Sequence, residues 1–233
     1  MDLIEVKDVR KEYNNGEVVA LGGVSFSVKE GEFVALMGPS GSGKSTLLTI
    51  LGAMNPPTSG EVYIDEIPVY QLSQEKQADF RSEYLGFVFQ AFQLIPYLTA
   101  AENVMLPLAI TGKSNKEQQE MATAVLEKVG LGKKGDRLPN QLSGGEQERV
   151  AIARAIVNEP PILFADEPTG ALDTKTGNEI MDLFKELNKD GQTIIMVTHN
   201  PEFLSHVQRA IFIRDGLVDK NEEEHLRKTI CAI

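Results

Sequence analysis

At 233 residues, 42% hydrophobic and 24% charged, the chain has the composition of an ordinary globular protein, which excludes a disordered or fibrous repeat architecture and leaves room for one large α/β domain or a core with a subdomain. Its net charge of −11 disfavours a large phosphate-backbone footprint, so nucleic acid is not expected as the main partner. A single cysteine, Cys231, excludes an internal disulfide framework, and with only Ala232 and Ile233 after it the tail falls one residue short of a prenylation box.

The first stretch, Leu3 to Val28, alternates apolar and polar residues in short runs (Leu3-Ile4-Glu5-Val6, Val24-Ser25-Phe26-Ser27-Val28) around the turn signal Asn14-Asn15-Gly16, and predicts an antiparallel sheet edge. Tyr13 sits inside it, as one face of a strand or as a ring for stacking on a purine; spacing alone favours the strand. Glu32 to Met37 is an apolar run short enough for a buried strand, and Thr46 to Leu51 suits a helix. Between them Gly38-Pro39-Ser40-Gly41-Ser42-Gly43-Lys44-Ser45-Thr46 fits the phosphate-binding P-loop pattern without a mismatch. In such a loop the glycines let backbone N–H groups curl round phosphates and the helix N-terminus adds partial positive charge. Lys44 is expected to reach the β- and γ-phosphates, and the Ser45 hydroxyl to ligate Mg²⁺. Pro56-Pro57-Thr58-Ser59-Gly60 then breaks the chain, and Glu61 to Asp65 returns as a strand.

Leu85 to Gln90 is a further buried strand, ending in an amide suited to ligating a metal or orienting water. The loop Ala91-Phe92-Gln93-Leu94-Ile95-Pro96-Tyr97-Leu98 is rich in large apolar residues, which either dock against a partner or pack on the chain's own helices. Val104 to Ile110, the longest apolar run, is far too short for a bilayer and contains Pro107; Met1 to Glu5 lacks the features of a secretory signal, so a cytosolic protein is expected. Lys116 to Val129 predicts a surface helix with Met121, Ala124, Val125, Leu126 and Val129 on its apolar face. Leu142-Ser143-Gly144-Gly145-Glu146 opens another helix, with Ser143 as cap, and reads as a second anion site or a plain capped helix. Pro161 to Glu167 is a buried strand ending in two carboxylates, Asp166 fitting a Walker B metal-side acid and Glu167 the base that polarises water. Thr193 to Thr198 is the last core strand and delivers His199, either structural or a γ-phosphate contact. Glu222-Glu223-Glu224 reads as a solvated acidic face.

Taken in order, Tyr13, Gly38 to Thr46, Gln90, Leu142 to Glu146, Asp166-Glu167, Ala171-Leu172-Asp173 and His199 resemble the A-loop, Walker A, Q-loop, signature, Walker B, D-loop and H-loop of ATP-binding cassette ATPases, across essentially the whole chain. Phe87 to Gln90, the apolar loop, Glu102-Asn103-Val104 and Pro168 to Asp173 are similar to the MacB and LolD type, which serves lipoprotein release, macrolide and peptide export, haem export and antimicrobial-peptide resistance. One departure is Glu146 where the signature commonly has Gln; Ser143, Gly144 and Gly145 still carry the phosphate contact.

The resemblance implies a P-loop NTPase (RecA-like) α/β core with an N-terminal antiparallel β subdomain (residues 1–90 and 160–233) and an α-helical signature subdomain (91–159). It implies ATP and Mg²⁺ as cofactors, Tyr13 on adenine, Ser45, Gln90 and Asp166 at Mg²⁺, Glu167 on water and His199 on the γ-phosphate. Two copies would close head to tail, Ser143-Gly144-Gly145 of one meeting the γ-phosphate held by Lys44 of the other, with Asp173 at the nucleotide interface. The loop carrying Phe92, Leu94, Pro96, Tyr97 and Leu98 would receive a membrane permease of MacB/LolC type, placing the protein on the inner face of the cell membrane. Two other readings keep the ATPase: force transmission across a membrane without transport, and action on soluble partners.

Overall fold

The computed structural model describes residues 1–222; Glu223, Glu224 and Cys231 lie outside the described residues. In chain order the elements are β1 (Asp2–Tyr13), β2 (Val18–Lys29), β3 (Phe33–Met37), α1 (Lys44–Leu51), β4 (Ser59–Ile64), β5 (Ile67–Pro68), α2 (Gln74–Tyr84) and β6 (Leu85–Val88). There follow α3 (Ala100–Met105), α4 (Asn115–Lys128), α5 (Gly144–Ile156), β7 (Ile162–Asp166), α6 (Thr174–Lys189), β8 (Thr193–Val197), β9 (Arg209–Arg214) and β10 (Leu217–Val218). They form two compact units, one made of residues 1–81 with the chain from 187 onward, the other of residues 82–186.

In the first unit an antiparallel sheet runs in the order β2-β1-β4-β5. Alternation puts Ile4 and Val6 of β1 on one buried face, opposite Val28 and Phe26 of β2, and a register shift between Val6 and Val9, with Asp8 at φ 46°, lets the buried Val9 follow opposite Val24. The connection Asn14-Asn15-Gly16 has all three residues at positive φ (53°, 55° and 95°), a conformation that Asn and Gly accept most readily. A second, parallel set places β3 between β9 and β8. Every residue of β3 and β8 is buried, the reason each reads as an unbroken apolar run.

In the second unit β6 and β7 pair in parallel, and the register sets Phe87 against Phe164 with ring centroids 5.2 Å apart. Helix α5 lies so close that a Cβ on Gly86 would stand 2.3 Å from the Ala155 carbonyl oxygen, so only glycine fits there. Helices α3, α4 and α5 pack on one another, and each opens with a capping box: Thr99 with Glu102, Ser114 with Glu117, Ser143 with Glu146.

Two expectations are corrected here. The buried stripe of α4 uses Ala122 and Leu126, whereas Ala124 is exposed; two alanines two positions apart carry the same hydrophobic signal, and packing chose the other. Strand β6 stops at Val88, because Ala91, Phe92 and Gln93 turn the chain through positive φ (61°, 62° and 46°). The run Val104 to Ile110 divides between the end of α3 and a 3₁₀ turn at Leu106–Ile110, with Leu108 buried and Ile110 exposed. Among the described residues no helix is long and apolar enough to cross a membrane.

Candidate functional site

The P-loop leaves the end of β3 and closes into α1, with Gly43 as the N-cap residue at φ 103°. A Cβ on Gly43 would lie 2.4 Å from the Ala20 carbonyl oxygen, and one on Gly38 (φ 144°) would lie 2.0 Å from that of Ile213. Both glycines are therefore fixed by backbone pressed against them as well as by φ. Lys44 is buried, and its ammonium donates to the carbonyls of Gly38 and Pro39 at 2.9 and 2.7 Å. Pro39, Ser40, Gly41 and Ser45 are exposed, and Thr46 is half-buried. Ser42 is only 3% exposed, yet among the described residues its Oγ has no hydrogen-bond partner. A buried orphan hydroxyl is costly, and a phosphate oxygen held by the loop would satisfy it. Glycine cradle, helix N-terminus, buried cation and unsatisfied hydroxyl together fit a polyphosphate.

In the same unit β8 runs parallel to β3, Val197 beside Leu36, so His199 leaves the same sheet edge as the P-loop. Ligands of parallel sheets collect at that edge. His199 is exposed, directly after the buried Thr198, whose Oγ1 accepts from the Asn200 amide at 3.1 Å. Tyr13 closes β1 with its ring 40% exposed; its hydroxyl accepts from Asn55 Nδ2 at 2.9 Å, and the Lys11 ammonium lies 5.2 Å from the ring centroid. The ring is anchored by its tip and presents its body to solvent.

In the second unit the parallel pair β6 and β7 sends Gln90 and Asp166-Glu167 off one edge, since Val88 is in register with Ala165. Gln90 is exposed, and both acids are half-buried. Glu167 has φ 47°, a left-handed conformation uncommon for glutamate. Its carbonyl accepts from Gly170 N at 3.0 Å, which turns the chain toward Leu172 and Asp173.

That turn meets the start of α5. A methyl on Gly144 would lie 3.2 Å from Leu172 Cδ2 and 3.7 Å from Phe92 Cζ, and one on Gly145 would lie 2.4 Å from Thr176 Cγ2. Thr176 is held in place by Asp173, donating its amide (3.0 Å) and its hydroxyl (2.6 Å) to the carboxylate. These hydrogen bonds keep the Asp173 carboxyl below its ordinary range. Residues from the loop after Gln90, the signature and the D-loop therefore converge on two glycines.

The loop after Gln90 is exposed at Pro96 and Tyr97 and half-buried at Phe92, Leu94 and Leu98. Two residues that sequence reading passed over hold it. Asn103 is fully buried; it accepts from Ile95 N at 2.8 Å and donates to the carbonyls of Ile95, Leu98 and Thr99 at 3.0–3.1 Å. Arg154 donates to the carbonyls of Gln93 and Phe92 at 2.6 and 3.0 Å. Near it Glu148 is 1% exposed, with one carboxyl oxygen unpartnered among the described residues; burial pushes its pKa up to about 8 against the opposing pull of Arg154. A polar side chain at an otherwise apolar helix position was the available signal for Asn103 and Glu148.

A profile of the ABC transporter family matches residues 21–170. The uncharacterized ABC transporter ATP-binding protein MJ0796 of Methanocaldococcus jannaschii is 49% identical over 228 residues, covering 95% of this chain and 97% of that one. The macrolide export ATP-binding/permease protein MacB of Syntrophobacter fumaroxidans is 50% identical over 224 residues, 94% of this chain but 31% of its own length. Among solved structures, the dimeric post-hydrolysis state of MJ0796 bound to ADP and Pi superposes with a TM-score of 0.85 at 48% identity, covering 93% of this chain and 97% of that one. The fold is thus that of the P-loop ATPases of ATP-binding cassettes. The chain belongs to the ABC transporter family, as an ATP-binding subunit that hydrolyses ATP.

Proposed function

We propose that two copies of this chain close head to tail around two Mg²⁺–ATP and thereby drive a separate membrane permease of MacB/LolC type, for export or for release of a lipoprotein. The observation that supports this reading is that one chain carries two separate glycine-led helix starts suited to an anion. One is the P-loop with its unsatisfied Ser42 hydroxyl; the other is the Ser143-Gly144-Gly145 helix start, too far along the sequence to be part of the same loop. A head-to-tail dimer uses both at each ATP. The dimeric MJ0796 structure with ADP and Pi supports it, as do MacB relatives that join a cassette like this one to a permease in one chain.

In this reading Lys44 and the amides of Gly38 to Thr46 hold the phosphates, Tyr13 stacks on adenine, and Asp173 lies at the interface. Ser45, Gln90 and Asp166 hold Mg²⁺, Glu167 orients water, and His199 contacts the γ-phosphate. The metal supplies charge neutralisation on the phosphates. The loop from Phe92 to Leu98 is the permease contact: Tyr97 is 79% exposed while Asn103 and Arg154 fix the backbone around it. An apolar side chain displayed on a braced loop suits a partner's surface. The protein then resides on the inner face of the membrane through that partner.

The test uses Glu167→Gln, loaded with ATP, as bait in detergent-solubilised native membranes. Recovery of a permease that is lost on Tyr97→Asp supports the reading, and recovery of soluble proteins alone removes it.

A further inference from the structure

The chain just after Gln90 is strained: Ala91, Phe92 and Gln93 all have positive φ, and the Gln93 amide folds back on the Ala91 carbonyl at 2.6 Å. L-residues disfavour that region, so three in succession persist only when something outside the turn holds them. The holding group is the Arg154 guanidinium, which grips two consecutive carbonyls of the turn, those of Phe92 and Gln93. A planar fork with fixed donor directions sets both carbonyl directions at once. The neighbouring carboxyl that could draw Arg154 away, Glu148, is buried, and burial pushes its pKa up to about 8, which favours its neutral form. Gln90, by contrast, is exposed.

We propose that Arg154 is a positioning residue for Gln90: by clamping the carbonyls of Phe92 and Gln93 it fixes the turn that aims the Gln90 amide at Mg²⁺ and the attacking water. The inference rests on the role proposed above for Gln90. It adds that α5, which begins at the signature segment, also carries the clamp on the metal-binding loop.

The test is a double-mutant cycle on the full chain, measuring ATPase rate against Mg²⁺ and ATP concentration for Arg154→Met, Arg154→Lys, Gln90→Ala and Arg154→Met/Gln90→Ala. Arg154→Met is expected to lower kcat about tenfold and raise half-saturating Mg²⁺ several-fold with KM for ATP little changed; Gln90→Ala is expected to do the same, and the double variant to be no worse than the single ones. Arg154→Lys, with the charge but not the fork, falls between. A merely structural role would lower thermal stability without moving the Mg²⁺ dependence. If Arg154→Met does not fold, Arg154→Lys decides: wild-type kcat and Mg²⁺ dependence there overturn the clamp. Losses that multiply in the double variant also overturn it, leaving Gln90 in its role. Wild-type turnover by Gln90→Ala removes the role of Gln90 itself, and the clamp with it.

Discussion

Ser143 and Glu146 bind each other across the first turn of α5: the Ser143 amide donates to Glu146 Oε2 at 2.9 Å, and Ser143 Oγ accepts from the Glu146 amide at 3.4 Å. The other carboxylate oxygen of Glu146 takes the Lys134 ammonium. Lys134 first, then the Ser143 amide, holds the Glu146 carboxyl below its ordinary range, so it stays ionised. The Glu that replaces the usual signature Gln thus keeps the cap, and its charge is answered by a lysine.

If so, removing the lysine leaves a bare carboxylate beside the segment proposed to meet the γ-phosphate. Lys134→Ala should weaken ATP-dependent dimerisation by up to about fivefold, a surface-pair magnitude, and Lys134→Ala/Glu146→Gln should restore it. Sedimentation at graded ATP concentration measures this.

Gly145→Ala drives a methyl into Thr176 Cγ2, and Thr176 cannot swing aside without losing Asp173. Overpacking of this kind costs about 1–3 kcal/mol, or roughly 2–10 °C in Tm for a chain of this size. Thr176→Ser keeps the hydroxyl and removes the methyl, so Gly145→Ala/Thr176→Ser should recover most of the lost Tm. Gly144→Ala, whose nearest contact is looser, should lose less.

Asn103→Ala removes the side-chain partner of the Ile95 amide and a side-chain donor to the Leu98 carbonyl in a part-buried place, while the Ile95 and Thr99 carbonyls keep the backbone amides of Leu98 and of residue 103. A stability loss of about 2–4 kcal/mol is expected. Hydrogen exchange should show the Ile95 amide losing more protection than the amides of β3.

The folded pKa of Glu148, about 8, lies above the ordinary 4.5. Between those values the folded chain holds a proton that the unfolded chain has released, so stability attributable to this group is full below pH 4.5, falls as pH rises and levels off above about 8. Glu148→Gln should therefore raise Tm relative to wild type more at pH 8.5 than at pH 5, as read by calorimetry at both values.

The places of the motifs in the fold were legible because each lies where the sequence also marks a strand or helix end. The P-loop follows the apolar run of β3, Asp166 ends β7 with Glu167 directly after it, and His199 follows β8 by two residues. Arg154, which braces the loop after Gln90, left no such mark: it acts on carbonyls of a loop remote from its own helix, and carbonyl acceptors carry no residue identity, whereas Asn103 acts on the segment that leads directly into its own helix. The left-handed turn at Ala91 to Gln93 was hidden for a related reason, since none of the three is a glycine. Helix α2 buries Phe80 alone and has no apolar stripe to read, whereas α6 carries Ile180, Phe184 and Leu187 at helical spacing.

The central claim is that ATP closes two chains head to tail, with Lys44 of one and Ser143 of the other at each nucleotide. The direct measurement is ATPase activity after mixing two inactive variants, Lys44→Ala and Ser143→Arg. A mixed dimer then holds one intact site, formed by Lys44 of the second variant and Ser143 of the first, and activity should return on mixing, whereas Lys44→Ala/Ser143→Arg mixed with itself stays inactive. No recovery, from variants that still dimerise, would contradict the head-to-tail arrangement.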